Sequence, residues 1–353
     1  MKPRNYSGFI RKLTNDVFKL ITMMKKRYLF PIILLAGFLL GPKPKYESFD
    51  GKLLSLDIPL TGLIDYITAK EAKITNLKPD NQSRIVWADG IAKTEYSVVY
   101  LHGFSASPKE GDPIHQEFAK RYGANLYIPR LSGHGIQDDD AFKNLNPKDL
   151  IDSAKEAIAI GQILGDKVIL MSCSTGGTLA LYLAAANPDT FAGLVMYSPN
   201  IDIYDAKSEL LTIPWGQQIA SAIIGEHRTM THNKGTEREN YWTYTYNTQG
   251  LICLKYLIEH TMTETILSKV KLPYFLGYYY KNEEDSDHVV SIDQMKWFHK
   301  ISATPDDQKR LIAFPEVGNH VMTSSMLSKD LESVRKESFA FAEAVLGLKP
   351  KEN

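Results

Sequence analysis

The chain has 353 residues, 44% of them hydrophobic, enough to bury one large α/β domain with an insertion or two modest domains. Lys and Arg number 41, as do Asp and Glu, so the formal net charge is zero and the electrostatic argument for nucleic-acid binding falls away. The two cysteines, Cys173 and Cys253, lack the paired spacing of a zinc site and read as free thiols.

In chain order, residues 1–27 are rich in Lys and Arg and almost free of acids. Residues 28–41 are then apolar throughout, with Lys25, Lys26 and Arg27 directly before them. A basic flank before a short apolar run reads as a signal peptide or signal anchor, so export or membrane association is expected. The run is short for a spanning helix, which needs about 20 residues. Pro42 after Gly41 is a poor neighbour for a cleavage site, so cleaved and retained forms both stay open. The competing reading is a core helix packed on the domain. Residues 1–45 are assigned to this segment.

From residue 84 the chain alternates β-rich runs with helical patterns. Strands are expected over 84–88, 96–101, 125–128, 167–171 and 191–197. Helices are expected over 113–122, 147–164 and 178–186. The second has Asn146 placed as its cap and Pro147 in its first turn. Such alternation implies a parallel sheet covered by helices on both faces. Residues 200–268 break the alternation, being mostly helical in pattern and rich in aromatics. It resumes with a strand over 272–278, a helix around 293–301, a strand over 310–314 and a last helix over 327–346. The core is therefore read as 46–199 with 269–353, and 200–268 as an insertion.

The sequence Ser172, Cys173, Ser174, Thr175, Gly176 follows the apolar run 167–171 and opens a helix. That setting suits a nucleophile turn of the G-x-S-x-G kind, in which a strained serine stands above the sheet. Gly176 meets the demand for a small residue, while Ser172 stands where Gly is usual. A serine needs a base, and in this arrangement the acid and the histidine follow it in the chain. His320, in the loop after the strand over 310–314, is the base. The acid belongs in the loop after the strand over 272–278, where Glu283, Glu284, Asp285 and Asp287 compete. Asp287 is preferred because the chain turns directly after it, and Asp285 is the alternative. The acid would accept the histidine N–H and stabilise the imidazolium. Oxyanion donors are expected from the backbone N–H groups of Thr175 and of Phe104, the latter in the loop opened by His102 and Gly103. His102 itself is read as structural.

These residues resemble the α/β-hydrolase superfamily, and within it the monoacylglycerol-lipase, carboxylesterase and serine-aminopeptidase branch. The motifs match in order: residues 101–105, residues 130–135 with Ser132 where that branch usually has Pro, Ser172-x-Ser174-x-Gly176, and the Asp287 and His320 loops. The resemblance implies a mostly parallel sheet flanked by helices, a helical cap between strands six and seven, and no metal or organic cofactor. Residues 200–268 would be the cap. Its aromatics, Trp215 and the Tyr and Trp side chains over 241–246, could line an acyl site or form the cap's own core. Arg228 and Lys234 could meet an anionic group and are more simply read as solvated.

The expected function is hydrolysis of carboxylic esters, of acyl glycerols or medium-chain acyl esters, through an acyl-enzyme. The alternatives are a serine peptidase or aminopeptidase of the same fold and a catalytically silent binding module. Aspartate at position 174, which haloalkane dehalogenation would want, is absent.

Overall fold

The alternating segments fold into a seven-stranded sheet with helices on both faces, seen in a computed structural model that describes residues 6–230 and 235–351. Lys234 lies outside the described residues. The chain begins with helix α1 (Tyr6–Leu39). Phe30, Ile32, Ile33, Leu34, Leu35 and Leu39 are each more than half exposed, so the core-helix reading of this run fails. Among the described residues no helix is long and apolar enough to cross a membrane. The end of the run meets the rest of the protein at Trp215, whose backbone N–H donates to Pro42 O at 2.8 Å and whose indole N–H donates to Gly37 O at 3.3 Å. Residues 46–60 behave differently. Tyr46, Phe49, Leu53, Leu56 and Ile58 pack on the core ahead of α2 (Leu63–Glu71).

The sheet strands are β1 (Arg84–Val86), β2 (Thr94–Leu101), β3 (Asn125–Ile128), β4 (Gly165–Cys173) and β5 (Phe191–Tyr197). Strands β6 (His227–Thr229) and β7 (Thr245–Asn247) lie in the insertion, and after it come β8 (Tyr274–Tyr279) and β9 (Lys309–Phe314). Their spatial order is β1-β3-β2-β4-β5-β8-β9, with β1 antiparallel to β3 and the other pairs parallel. The chain runs one way from β2 to β3 and then returns past β2 to β4. This reversal is a topological switch point, where ligands bind beyond the carboxyl ends of the strands.

Side chains alternate between two cores, one on each face, because a strand has a period of two. Val99 and Leu101 of β2, Val168 and Leu170 of β4 and Leu194 and Met196 of β5 point to one. Helices α4 (Pro147–Leu164), α5 (Thr175–Ala186) and α9 (Ile292–Ile301) cover that face. Val98, Tyr100, Ile169, Met171, Val195 and Tyr197 point to the other, against α3 (Ile114–Arg121) and α10 (Leu331–Ala344). Asn146 caps α4, its Oδ1 accepting the Lys148 N–H at 2.9 Å. Gly161, a poor helix former in the middle of α4, is explained by close approach. A Cβ there would stand 2.5 Å from Val99 Cγ2, and Ser97 Oγ donates to Gly161 O at 2.7 Å. Cys173 and Cys253 are both buried and free, and they lie in opposite cores.

The insertion follows β5 and precedes β8. It holds α6 (Gly216–Ile224), α7 (Gln249–Thr261), α8 (Glu264–Leu267) and a two-stranded antiparallel ribbon, β6 (His227–Thr229) with β7 (Thr245–Asn247). The ribbon departs from the mostly helical expectation. Its strands have three residues each, too short for alternation to register. Counted along this chain the insertion stands between the fifth and sixth strands of the sheet. Only the antiparallel β1 precedes β2 here, one strand fewer than the expected count.

Candidate active site

Ser174 stands between β4 and α5 at φ 53° and ψ −120°, a conformation that L-residues with a side chain rarely adopt. The turn is held by Ser174 N–H donating to Tyr197 O at 3.1 Å, with Gly177 N–H and Asn200 N–H donating to Ser174 O at 2.8 and 2.9 Å. Only glycine fits two residues on. A Cβ at Gly176 would lie 1.9 Å from the Leu101 carbonyl oxygen. Two residues before, Ser172 is fully buried and its hydroxyl has no hydrogen-bond partner among the described residues. The turn thus tolerates a serine side chain where Gly is usual.

His320 and Asp287 meet. Asp287 follows β8 and is 2% exposed, and its Oδ2 stands 2.6 Å from His320 Nδ1. Its Oδ1 accepts Val289 N–H at 2.9 Å and Val290 N–H at 3.3 Å. Burial works against the charged carboxylate, but the charge and hydrogen bond of His320 and the two amides hold its pKa below the ordinary value. Burial also works against the imidazolium. The Asp287 carboxylate, by charge and hydrogen bond, and the charge of Glu110 nonetheless hold the His320 pKa above its ordinary value. Asp285, the competing acid, is spent on the Tyr279 hydroxyl. His320 Nε2 is buried and has no partner among the described residues, and no hydrogen bond joins it to Ser174.

The loop after β2 lies against the Ser174 turn. A Cβ built on Gly103 would stand 2.9 Å from Ser174 Cβ. The Phe104 and Thr175 N–H groups, which flank this approach, are engaged by no other protein group among the described residues. His102 is consumed by backbone. Its Nε2 accepts Leu131 N–H at 3.0 Å, so Nδ1 carries the proton and donates to Gly103 O at 2.9 Å. Burial and the neighbouring His134 keep its pKa well below normal, so it is a neutral strut between two loops. The second of these is anchored by a buried ion pair, Arg130 Nε to Glu71 Oε2 at 2.8 Å, with Arg130 also donating to His134 O at 3.0 Å.

The cap grips the site from two sides. Thr243 N–H donates to Ser105 O at 2.7 Å, above the loop that holds Phe104. The Phe104 ring packs with Tyr246 at 5.4 Å and Phe142 at 4.7 Å between centroids, each such pair contributing about 0.5–1.5 kcal/mol beyond burial. Tyr246 and Trp242 are buried, so these cap aromatics serve packing, whereas Trp215 stays 40% exposed beside the N-terminal segment. At the cap's root, Tyr204 N–H donates to Val289 O at 3.1 Å and Ser291 N–H to Asp202 O at 2.8 Å, clamping the stretch that carries Asp287. A cavity of about 610 Å³, lined by Tyr46, Asn146, Gln217, Glu226, Thr248 and Gln249 among others, lies at the seam between cap and core and includes none of Ser174, Asp287 and His320.

The fold has counterparts among known proteins. A search of solved structures finds a metagenome-derived lipolytic enzyme at TM-score 0.61 and 19% identity, covering 75% of this chain and 98% of that one. The monoacylglycerol lipase of Paleococcus ferrophilus matches at TM-score 0.54 and 14% identity, over 76% and 98% of the two chains. The chain has the α/β-hydrolase fold. Residues 92–247 match the family model for serine aminopeptidase, S33. The thermostable monoacylglycerol lipase of Bacillus sp. (strain H-257) is 32% identical over 106 residues, 30% of this chain. The match spans 41% of that lipase's length. Sequence similarity therefore runs to the monoacylglycerol-lipase and esterase branch of the α/β-hydrolases.

Glu110 escaped sequence reading. It carries no motif signal, because its place beside Gly103 and Ser174 depends on how a short turn folds back under the loop.

Proposed function

We propose that this hydrolase cleaves carboxylic esters of small acyl substrates through an acyl-enzyme, with Ser174 as nucleophile, His320 as base and Asp287 as the acid that orients it. The observation that carries the reading is the His320–Asp287 pair at 2.6 Å, with the far ring nitrogen buried and unpaired among the described residues. With Asp287 on Nδ1–H, the tautomer leaves Nε2 as an acceptor for a hydroxyl proton. Ser174 Oγ attacks the ester carbonyl as His320 takes its proton. The Phe104 and Thr175 N–H groups donate to the oxyanion. The tetrahedral adduct collapses, His320 returns the proton to the leaving alkoxide, and the alcohol departs. Water, deprotonated by His320, then attacks the acyl-enzyme and restores Ser174. Acyl glycerols or medium-chain acyl esters are the proposed substrates, in line with the lipase names among the relatives.

The serine aminopeptidase family match favours a second reading, amide hydrolysis by the same groups. Incubation with a fluorophosphonate probe tests the shared chemistry: labelling of wild type, lost in Ser174→Ala, is expected. A folded wild type that takes no label sinks it. A series of p-nitrophenyl esters of graded chain length beside aminoacyl p-nitroanilides separates the two readings, and faster ester turnover is expected.

We also propose that the basic and apolar N-terminal segment directs export or holds the protein at a membrane. Support comes from its composition and from the exposure of its apolar side chains. Fractionation of cells expressing the chain with and without residues 1–45 tests it. Equal distribution of the two forms overturns it.

A further inference from the structure

Glu110 takes no part in the mechanism above, yet it is 1% exposed and lies against the site. It belongs to the short turn Pro108–Gly111 that follows the Phe104 loop. Its Oε2 accepts the Gly103 N–H at 2.8 Å and the Tyr100 hydroxyl at 3.1 Å. A Cβ built on Gly103 would stand 2.9 Å from Glu110 Oε1 and equally 2.9 Å from Ser174 Cβ. The carboxylate and the nucleophile turn are thus separated by the thickness of one glycine. The Glu110 backbone reaches a third loop. Its carbonyl accepts the Thr323 hydroxyl at 3.3 Å, and Thr323 also stands 3.4 Å from the Tyr100 hydroxyl. Thr323 lies in the loop of His320, which is tied to the same region again by Ser325 N–H donating to Asp112 O at 2.9 Å.

A buried carboxylate without a paired Lys or Arg is costly to a fold. Among the described residues Glu110 has no such partner, only an amide, a phenol and the Cys173 thiol. An amide side chain could satisfy Gly103 without carrying charge. An acid at this place sets beside the site a group that titrates, which an amide would not.

We propose that Glu110 is a positioning residue, which holds the Gly103 amide, and with it the Phe104 N–H, against the Ser174 turn and sets a second carboxylate beside the His320 loop. The proposal rests on the hydrolase reading of Ser174 and His320. The titratable groups that act on Glu110 are Tyr100 from β2, Cys173 from β4 and His320 from the loop after β9. Those that act on His320 are Asp287 and Glu110. Burial lifts the Glu110 pKa to about 7, with the Gly103 amide and His320 pulling it back down. Where it is ionised, Glu110 favours protonated His320, so removing that charge lets His320 shed its proton at lower pH.

The test uses the full chain as wild type, Glu110→Gln and Glu110→Ala, with kcat and KM for p-nitrophenyl butyrate from about pH 5 to about pH 9. Glu110→Ala is expected to lose about 10²-fold in kcat, with KM within about threefold, as when an oxyanion donor is misplaced. Glu110→Gln is expected to recover at least about tenfold of that loss, because its amide oxygen still accepts the Gly103 N–H. Its acid limb is expected to move to lower pH by about half a unit or more. Wild-type kcat in Glu110→Ala overturns the proposal, as does an acid limb unmoved in Glu110→Gln. Should Glu110→Ala fail to fold, the Glu110→Gln profile decides alone. A wild type that neither hydrolyses the ester nor takes a fluorophosphonate overturns the underlying hydrolase reading as well, and shows before any substitution is made.

Discussion

His320 Nδ1 and Asp287 Oδ2 stand 2.6 Å apart, while the other Asp287 oxygen accepts two backbone N–H groups from the turn that follows it. The acid is thus fixed at both ends, by the ring it orients and by its own loop. The cap's root clamps that loop through Tyr204 and Asp202. A carboxylate held this way defines one ring orientation and one tautomer.

Asp287→Asn should lower kcat/KM for a p-nitrophenyl ester by about 10³–10⁴-fold, because the amide would offer the wrong tautomer to His320. Asp285→Asn should stay within about threefold, since among the described residues the Asp285 side chain bonds to the Tyr279 hydroxyl and not to His320. Equal losses in the two variants would show that the acid is not Asp287.

The pH dependence has a definite sign. The base must be neutral to accept the serine proton, and the His320 pKa is raised above its ordinary 6.5 against the pull of burial. The acid limb of kcat/KM should therefore turn above pH 6.5, with activity falling as pH drops through it. In Asp287→Asn the residual activity should turn at lower pH, because burial then acts on His320 with one less carboxylate against it. A wild-type limb below the ordinary histidine value would contradict this electrostatic picture.

Gly176→Ala should cost about 3 kcal/mol or more, since its methyl would enter the Leu101 carbonyl and neither backbone can yield without opening β2 from α5. Ser172→Gly, two residues before the nucleophile, should leave activity within about threefold, as it removes only a hydroxyl without a hydrogen-bond partner among the described residues. Urea unfolding followed by far-UV circular dichroism reads the first and ester turnover the second. A stable Gly176→Ala protein would mean the turn is looser than its contacts imply.

Deleting residues 1–45 should leave a folded, active enzyme, because among the described residues the hydrogen bonds from that segment to the rest of the protein go to Trp215. Deleting residues 1–60 should destabilise it by several kcal/mol, since Phe49, Leu53, Leu56 and Ile58 lose their seats on the core. Thermal unfolding of the two truncated forms beside the full chain checks this. Similar melting temperatures for both truncations would place the domain boundary further along.

Much of this protein was legible in the sequence, and what was legible is local. The strands over 125–128 and 191–197 and the helix over 147–164 stand where patterning put them, because a period of two or of 3.6 and an Asn-Pro start are read from neighbouring residues. The Ser174 turn was legible for the same reason: strand, small residues and helix follow one another along the chain. Its left-handed φ and the close pass of Leu101 over Gly176 are what that pattern encodes.

Tertiary structure decided the rest, where the deciding contact joins residues far apart in the chain. Asp287 and Asp285 are equivalent as letters; only the fold brings one to His320, 33 residues on, and turns the other to Tyr279. The ribbon of β6 and β7 pairs segments separated by a helical turn and a loop, each too short to show a period. The cap aromatics divide between buried Trp242 and Tyr246 and exposed Trp215 according to what each meets. The apolar run over 28–41 has the composition of a core helix, and its exposure follows from where the chain after Gly41 enters the fold. Glu110 is one acid among many in the sequence. In the folded protein it becomes a buried carboxylate one glycine away from the serine, because burial and hydrogen-bond partners are properties of the packed chain and not of the residue.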